Sequence, residues 1–174
     1  MKKIMLTLAL GCLLLPCTYS QSVWSEAAEK QAIMKTIERE TECFYKRDYK
    51  GWKETWVQAD YIFQAWSNQD GTFDASVGWE KVDGRIGKYI KENPVPEGGS
   101  SHPKVERRNM VVKFFNENLA YLVWDQYNMD KDKKYYTLSK DERLMEKQNG
   151  TWKIANVSSF WDYKNTVPVE QLKN

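Results

Sequence analysis

The sequence predicts an α+β fold, with helices packed on one face of a sheet. Three observations carry that reading. An apolar period of 3.6 residues runs over Glu26 to Lys46, the alternation shortens to two residues from Tyr61, and the last third holds four strand runs joined by tight turns. The 174 residues suit one domain, and 41% hydrophobic with 29% charged residues excludes a disordered tail or a multi-span membrane protein.

Each element follows from local chemistry. Ser25 is a candidate N-cap for the first helix, with Glu26 and Glu29 in its first turn. Ala28, Ala32, Ile33, Ile37, Thr41, Phe44 and Tyr45 share one face, while Glu38, Arg39, Glu42 and Lys46 take the other. Asp48 breaks this helix, and a short second one over Tyr49 to Val57 turns Trp52 and Trp56 the same way. Asp48 and Asp60 read as short carboxylates that fix turns by accepting backbone N–H groups. Tyr61 to Trp66 reads as a strand, Asn68 to Gly71 as a turn, and Thr72 to Val77 as a weaker partner strand. Trp79 to Lys91 returns to helix and stops at Asn93-Pro94. Val95 to Pro103, rich in Pro and Gly, reads as an exposed loop. The strand runs Val105 to Phe115, Leu119 to Met129, Tyr135 to Gln148 and Thr151 to Trp161 then form a meander.

The first twenty residues read as an export leader. Met1 to Lys3 are the positive start, Ile4 to Leu15 a mostly apolar run too short to span a bilayer, and Thr18-Tyr19-Ser20 a cleavage site before Gln21. The expectation is a mature domain over 21–174, periplasmic or extracellular. A lipid anchor on Cys12 or Cys17 is the alternative, although Pro16 and the early position of Cys12 fit that pattern poorly. Lys2 and Lys3 account for the formal charge of +2, so 24 basic and 24 acidic residues remain from Gln21 onward. A neutral mature chain carries no electrostatic footprint for nucleic acid. It keeps one cysteine, Cys43, which forms no internal disulfide and reads as a buried, inert thiol. With one histidine, His102, in the loop before the meander, no metal site and no cofactor are expected.

Three local sequences carry a resemblance. They are Phe44 to Trp52, where a long helix ends at Asp and a second begins; Trp56 to Tyr61, a helix-to-strand crossing; and Arg143 to Ile154, a hairpin closing in Gly-x-Trp-Lys-Ile. In this order they resemble the nuclear transport factor 2-like superfamily, with its SnoaL-like, ketosteroid-isomerase-like and cystatin-like members. The resemblance implies a cone-shaped, curved antiparallel or mixed sheet wrapped around N-terminal helices, enclosing a cavity for a small, largely apolar molecule. It implies no single function, because this fold hosts enzymes, carriers and adaptors. Ketosteroid isomerases pair a carboxylate base with a Tyr and a protonated Asp. The matching positions fall near Ala65, Glu40 and Leu144, so that constellation is absent.

Aromatic residues are abundant, with eight Trp, ten Tyr and six Phe. Trp66, Tyr121, Trp124, Tyr127 and Trp161 are candidate cavity walls, joined by the polar Asp125, Arg143, Asn156 and Ser158. That polar set is either a closed structural network or a ligand-facing group. The leading expectation is a non-catalytic binding module with an aromatic-lined cavity. A lyase or isomerase using Asp125 or Glu40 as base, with Arg143 or Tyr127 stabilising charge, is the first alternative. A structural domain forming a homodimer through its sheet face is the second.

Overall fold

The structure, a computed structural model, describes residues 24–97 and 104–172. The expected leader, with Cys12 and Cys17, and His102 lie outside the described residues. Helix α1 (Glu26–Lys46) ends at Arg47, whose backbone is left-handed at φ 60°; the Asp48 N–H closes the turn on the Cys43 carbonyl at 2.9 Å. Asp48 caps α2 (Tyr49–Glu54) by accepting from the Gly51 N–H at 2.9 Å. A side chain at Gly51 would stand 2.3 Å from Asp48 Oδ2 and 2.6 Å from Cys43 Sγ, so the helix junction closes only around glycine. Cys43 is buried there as expected, and burial, then the Asp48 charge, pushes its thiol pKa up.

Strands β1 (Phe63–Ser67) and β2 (Phe73–Val77) are followed by α3 (Trp79–Val82), a π-helical turn (Asp83–Gly87) and α4 (Lys88–Glu92). The meander comprises β3 (Val105–Asn116), β4 (Leu119–Met129), β5 (Tyr135–Gln148) and β6 (Thr151–Pro168), ending in a short 3₁₀ turn (Val169–Leu172). Among the described residues the strands form one six-stranded mixed sheet in the order β2-β1-β6-β5-β4-β3, with β1 and β6 parallel and the other neighbours antiparallel. Asn149 and Gly150, both at positive φ, make the β5–β6 turn.

The last strand is longer than the expected Trp161 endpoint. Asp162 Oδ1 accepts from the N–H groups of Lys164 and Asn165, both at 3.1 Å, which absorbs extra residues in a bulge before Thr166 rejoins Thr137. Helix α2 is shorter than expected, because Trp56 leaves it to bridge Ile154.

Ile33 and Ile37 of α1, Trp52 and Trp56 of the α2 region, and Ala120, Leu122, Trp124, Met145, Trp152 and Ile154 of the sheet form the core. Trp52 and Trp56 do face the same way, with ring centroids 6.0 Å apart. Trp152 sits against α1, where its Nε1 donates to Glu29 Oε2 at 2.6 Å beside Lys147 Nζ at 2.7 Å from Glu29 Oε1. Much of the tryptophan content is thus core filling. Among the described residues no helix is long and apolar enough to cross a membrane.

Candidate functional site

The helix-bearing face of the sheet changes character along its strands. On β4 the inward residues run Ala120, Leu122, Trp124, then Gln126 and Asn128. Their partners on β5 run Met145, Arg143, Asp141, then Ser139 and Thr137. On β6, Val157, Ser159 and Trp161 stand opposite Arg143, Asp141 and Ser139. Part of the inner face is therefore apolar, and the rest is a polar patch, buried at Ser139, Asp141 and Ser159 and half-buried at Gln126, Asn128 and Thr137.

The patch is closed by a chain of hydrogen bonds. Trp124 Nε1 donates to Gln126 Oε1 at 3.2 Å, Gln126 Nε2 to Asn128 Oδ1 at 2.9 Å, and Asn128 Nδ2 to Ser139 Oγ at 3.1 Å. Ser139 and Ser159 hydroxyls then donate to Asp141 Oδ1 at 2.6 and 2.7 Å. Asp141, 1% exposed, also receives Arg143 Nη2 on Oδ2 at 3.2 Å. Such a chain fixes the orientation of each amide, since each has its donor end and its acceptor end already assigned.

Above this wall, between α1 and strands β3 to β6, lies a cavity of about 310 Å³. Thr41 and Tyr45 of α1, Arg107 of β3, Gln126, Arg143 and Trp161 are among its lining residues. The guanidinium carbons of Arg107 and Arg143 lie 5.9 and 5.1 Å from the Trp124 ring centroid. Arg107 Nη1 pairs with Glu38 at 2.5 Å, while its buried Nε has no hydrogen-bond partner. Glu40 lies close by on α1 and accepts from Trp52 Nε1 at 2.9 Å. Burial raises the Glu40 pKa above the usual carboxylate range; the Arg143 charge and the Trp52 and Thr41 donors only partly oppose that rise.

The structure brings Glu40, Trp124, Arg143 and Trp161 to this inner side, and Trp66 to the inner face of β1 beneath Arg85, 4.4 Å from its ring centroid. Tyr121, Asp125 and Tyr127 do not join them. They alternate with Trp124 and so lie on the outer face, where Tyr121 donates to Glu142 at 2.7 Å, Asp125 accepts from Asn109 at 2.7 Å and pairs with Lys140, and Tyr127 lies under Arg108. Asn156 and Ser158 also face outward, beside Glu142. The cause is a bulge: Met145 pairs with Ile154 and Leu144 with Asn156, so Ala155 is an extra residue and every β6 side chain after it changes face.

Asp125 is thus separated from Arg143 by the sheet, and the expected aromatic lining reduces to Trp161 with Tyr45 in a largely polar wall. Ala65 and Leu144 also face outward, leaving Gln64, Trp66 and Arg143 as their inward neighbours. Arg107, Gln126, Asn128, Ser139 and Asp141 were not singled out by the sequence reading. Their signal is the matched alternation Trp124-x-Gln126-x-Asn128 against Ser139-x-Asp141-x-Arg143 on neighbouring strands. Among the described residues no group of three or more His, Cys, Asp and Glu is placed to hold a metal ion.

No family model matches the chain, and no curated protein matches it. Solved structures do. The association domain of C. elegans CaMKII aligns over 77% of this chain and 96% of its own, with TM-score 0.53 and 14% identity. A nuclear transport factor 2-like protein of unknown function from Pseudomonas putida KT2440 aligns over 80% and 92%, with TM-score 0.54 and 18% identity. A cystatin-like fold protein of unknown function from Nostoc punctiforme aligns over 79% and 94%, with TM-score 0.52 and 16% identity. At these identities the likeness is one of fold.

Proposed function

Starting from the nuclear transport factor 2-like fold shared with these neighbours, we propose that the chain is a small-molecule-binding domain that works outside the cytoplasm and performs no chemistry on its ligand. The observation that carries the reading is the cavity beside Arg107, Gln126, Arg143 and Trp161, at the lower end of the volumes that hold small ligands, about 300–1,000 Å³. Its wall is pre-organised: the amides and serines are bonded to one another before any ligand arrives. The carboxylates at and around the cavity already serve the protein, Asp130 by accepting the Lys134 N–H, Asp141 by holding Arg143 and two serines, and Glu40 by accepting from Trp52. The sequence of residues 1–20 supports export.

The test is a fragment screen on residues 21–174, read by native mass spectrometry and by quenching of Trp161 against a Trp161→Phe control. Fragments that bind one per chain and quench the parent but not the variant support the reading. A screen without such fragments overturns it.

A second reading has its own observation. Phe73, Val77, Val111 and Phe160 are large apolar side chains exposed on the outer sheet face. A homodimer formed through that face would cover them. Sedimentation equilibrium separates a dimer from a monomer directly.

A further inference from the structure

Among the described residues the cavity is lined by two guanidiniums and one carboxylate, and from this we infer that its occupant carries a carboxylate held by Arg107. The inference rests on the binding reading above and names the chemical class of the ligand.

Arg107 lines the cavity with its side chain 14% exposed, and its guanidinium carries five N–H donors. One nitrogen, Nη1, is met by Glu38; the buried Nε has no partner. A buried charged donor without an acceptor is costly, which leaves this guanidinium short of acceptors inside the fold. A carboxylate presented to this guanidinium can meet two of its N–H groups in one plane. Arg143 adds positive potential but little free valence, since Nη1 donates to the Glu142 carbonyl at 2.8 Å and Nη2 to Asp141.

The negative groups around the cavity are already engaged. Asp141 holds Arg143, Ser139 and Ser159. Asp130, on the lining, accepts the Lys134 N–H at 2.8 Å. Glu38 is 55% exposed, so water screens its hold on Arg107. Burial favours the uncharged form of Glu40. A cationic ligand would meet two guanidiniums, and a neutral apolar one would leave Arg107 Nε unpaired.

The experiment titrates the full mature chain with a panel of small aliphatic and aromatic carboxylates, each beside its primary amide, and with inorganic phosphate. Binding is read by saturation-transfer NMR and thermal shift. The expected result is a preference for carboxylates over their amides of about tenfold or more, lost in Arg107→Ala and largely lost in Arg107→Lys, which keeps charge but not the fork. Glu38→Ala, a surface change, frees Nη1 and should tighten carboxylate binding by a few fold, which protects the test should Arg107 variants fold poorly.

Amides binding as well as carboxylates overturn the inference, and so does an Arg107→Ala protein that folds and keeps the preference. Phosphate binding in place of carboxylates also overturns it. If neither series binds while neutral fragments still quench Trp161, the inference falls and the cavity reading stands. If nothing binds at all, both fall.

Discussion

Asp141→Asn should be among the most damaging single-atom-scale changes in this chain. The parent carboxylate is 1% exposed and accepts Ser139 and Ser159 on one oxygen and Arg143 on the other. Asparagine preserves size and keeps one oxygen for the two serines. Its NH₂ then faces the Arg143 guanidinium, itself only 12% exposed, so a donor meets donors and the buried cation loses its counter-charge. Removing one partner of a buried pair costs about 3–5 kcal/mol. For a domain of this size that is a fall of about 6–20 °C in thermal midpoint, taking about 2–4 °C per kcal/mol. The assay is urea unfolding followed by far-UV circular dichroism, on Asp141→Asn, Arg143→Met and the double variant. Removing both charges together should cost much less than the two single losses combined, because no unpaired ion remains. A loss below about 1 kcal/mol for Asp141→Asn, or a double variant equal to the sum of the singles, would refute the argument that this pair neutralises itself inside the fold.

Further outcomes follow from other contacts. A methyl group at Gly87 would stand 2.2 Å from Asp83 Oδ1 and 3.0 Å from Tyr49 Cε2, so Gly87→Ala should break the 2.8 Å Tyr49–Asp83 hydrogen bond and cost about 1–3 kcal/mol in a urea melt. Glu40 binds its proton more tightly folded than unfolded, so its stabilising share is full below its unfolded pKa and is lost as pH rises through the folded one. Glu40→Gln should therefore gain on the parent as pH rises, read as the pH dependence of the thermal midpoint. Glu29 behaves oppositely: the Lys147 hydrogen bond first, then the Trp152 donor, lower its pKa. Its share is present above its unfolded pKa and lost as pH falls through the folded one, so Glu29→Gln should be weaker than the parent at neutral pH and converge with it in acid. If the outer face pairs two chains, Phe160→Lys should give a monomer by sedimentation with its circular dichroism unchanged.

The order of elements was legible because each depends on neighbours in sequence. The apolar period of α1, the Asp48 break and the Asn149-Gly150 turn are local signals, and each is where it was expected. The shared β4 face of Trp124, Gln126 and Asn128 is a local signal too, since strict alternation runs through it. The β6 face was not. Trp152, Ile154, Asn156 and Ser158 alternate cleanly in sequence, and only pairing with β5 reveals that Ala155 breaks their phase. The site failed for the same reason: Arg107 reaches Arg143 and Trp161 across strands β4 to β6, a proximity made by register and absent from any local pattern.

The chain of bonds from Trp124 to Asp141 has a polarity. Every link passes its proton donor in the same direction, from an indole that can only give to a carboxylate that can only receive. Reversing any link means reversing all those downstream. Replacing Gln126 by glutamate would remove the proton offered to Asn128. Asn128 would have to turn its NH₂ toward the new carboxylate, Ser139 would turn its hydroxyl to the freed amide oxygen, and Asp141 would lose a donor three links from the change. A wall built this way answers a substitution at the cavity surface in the charge balance of the core, so its surface residues are not free to vary one at a time.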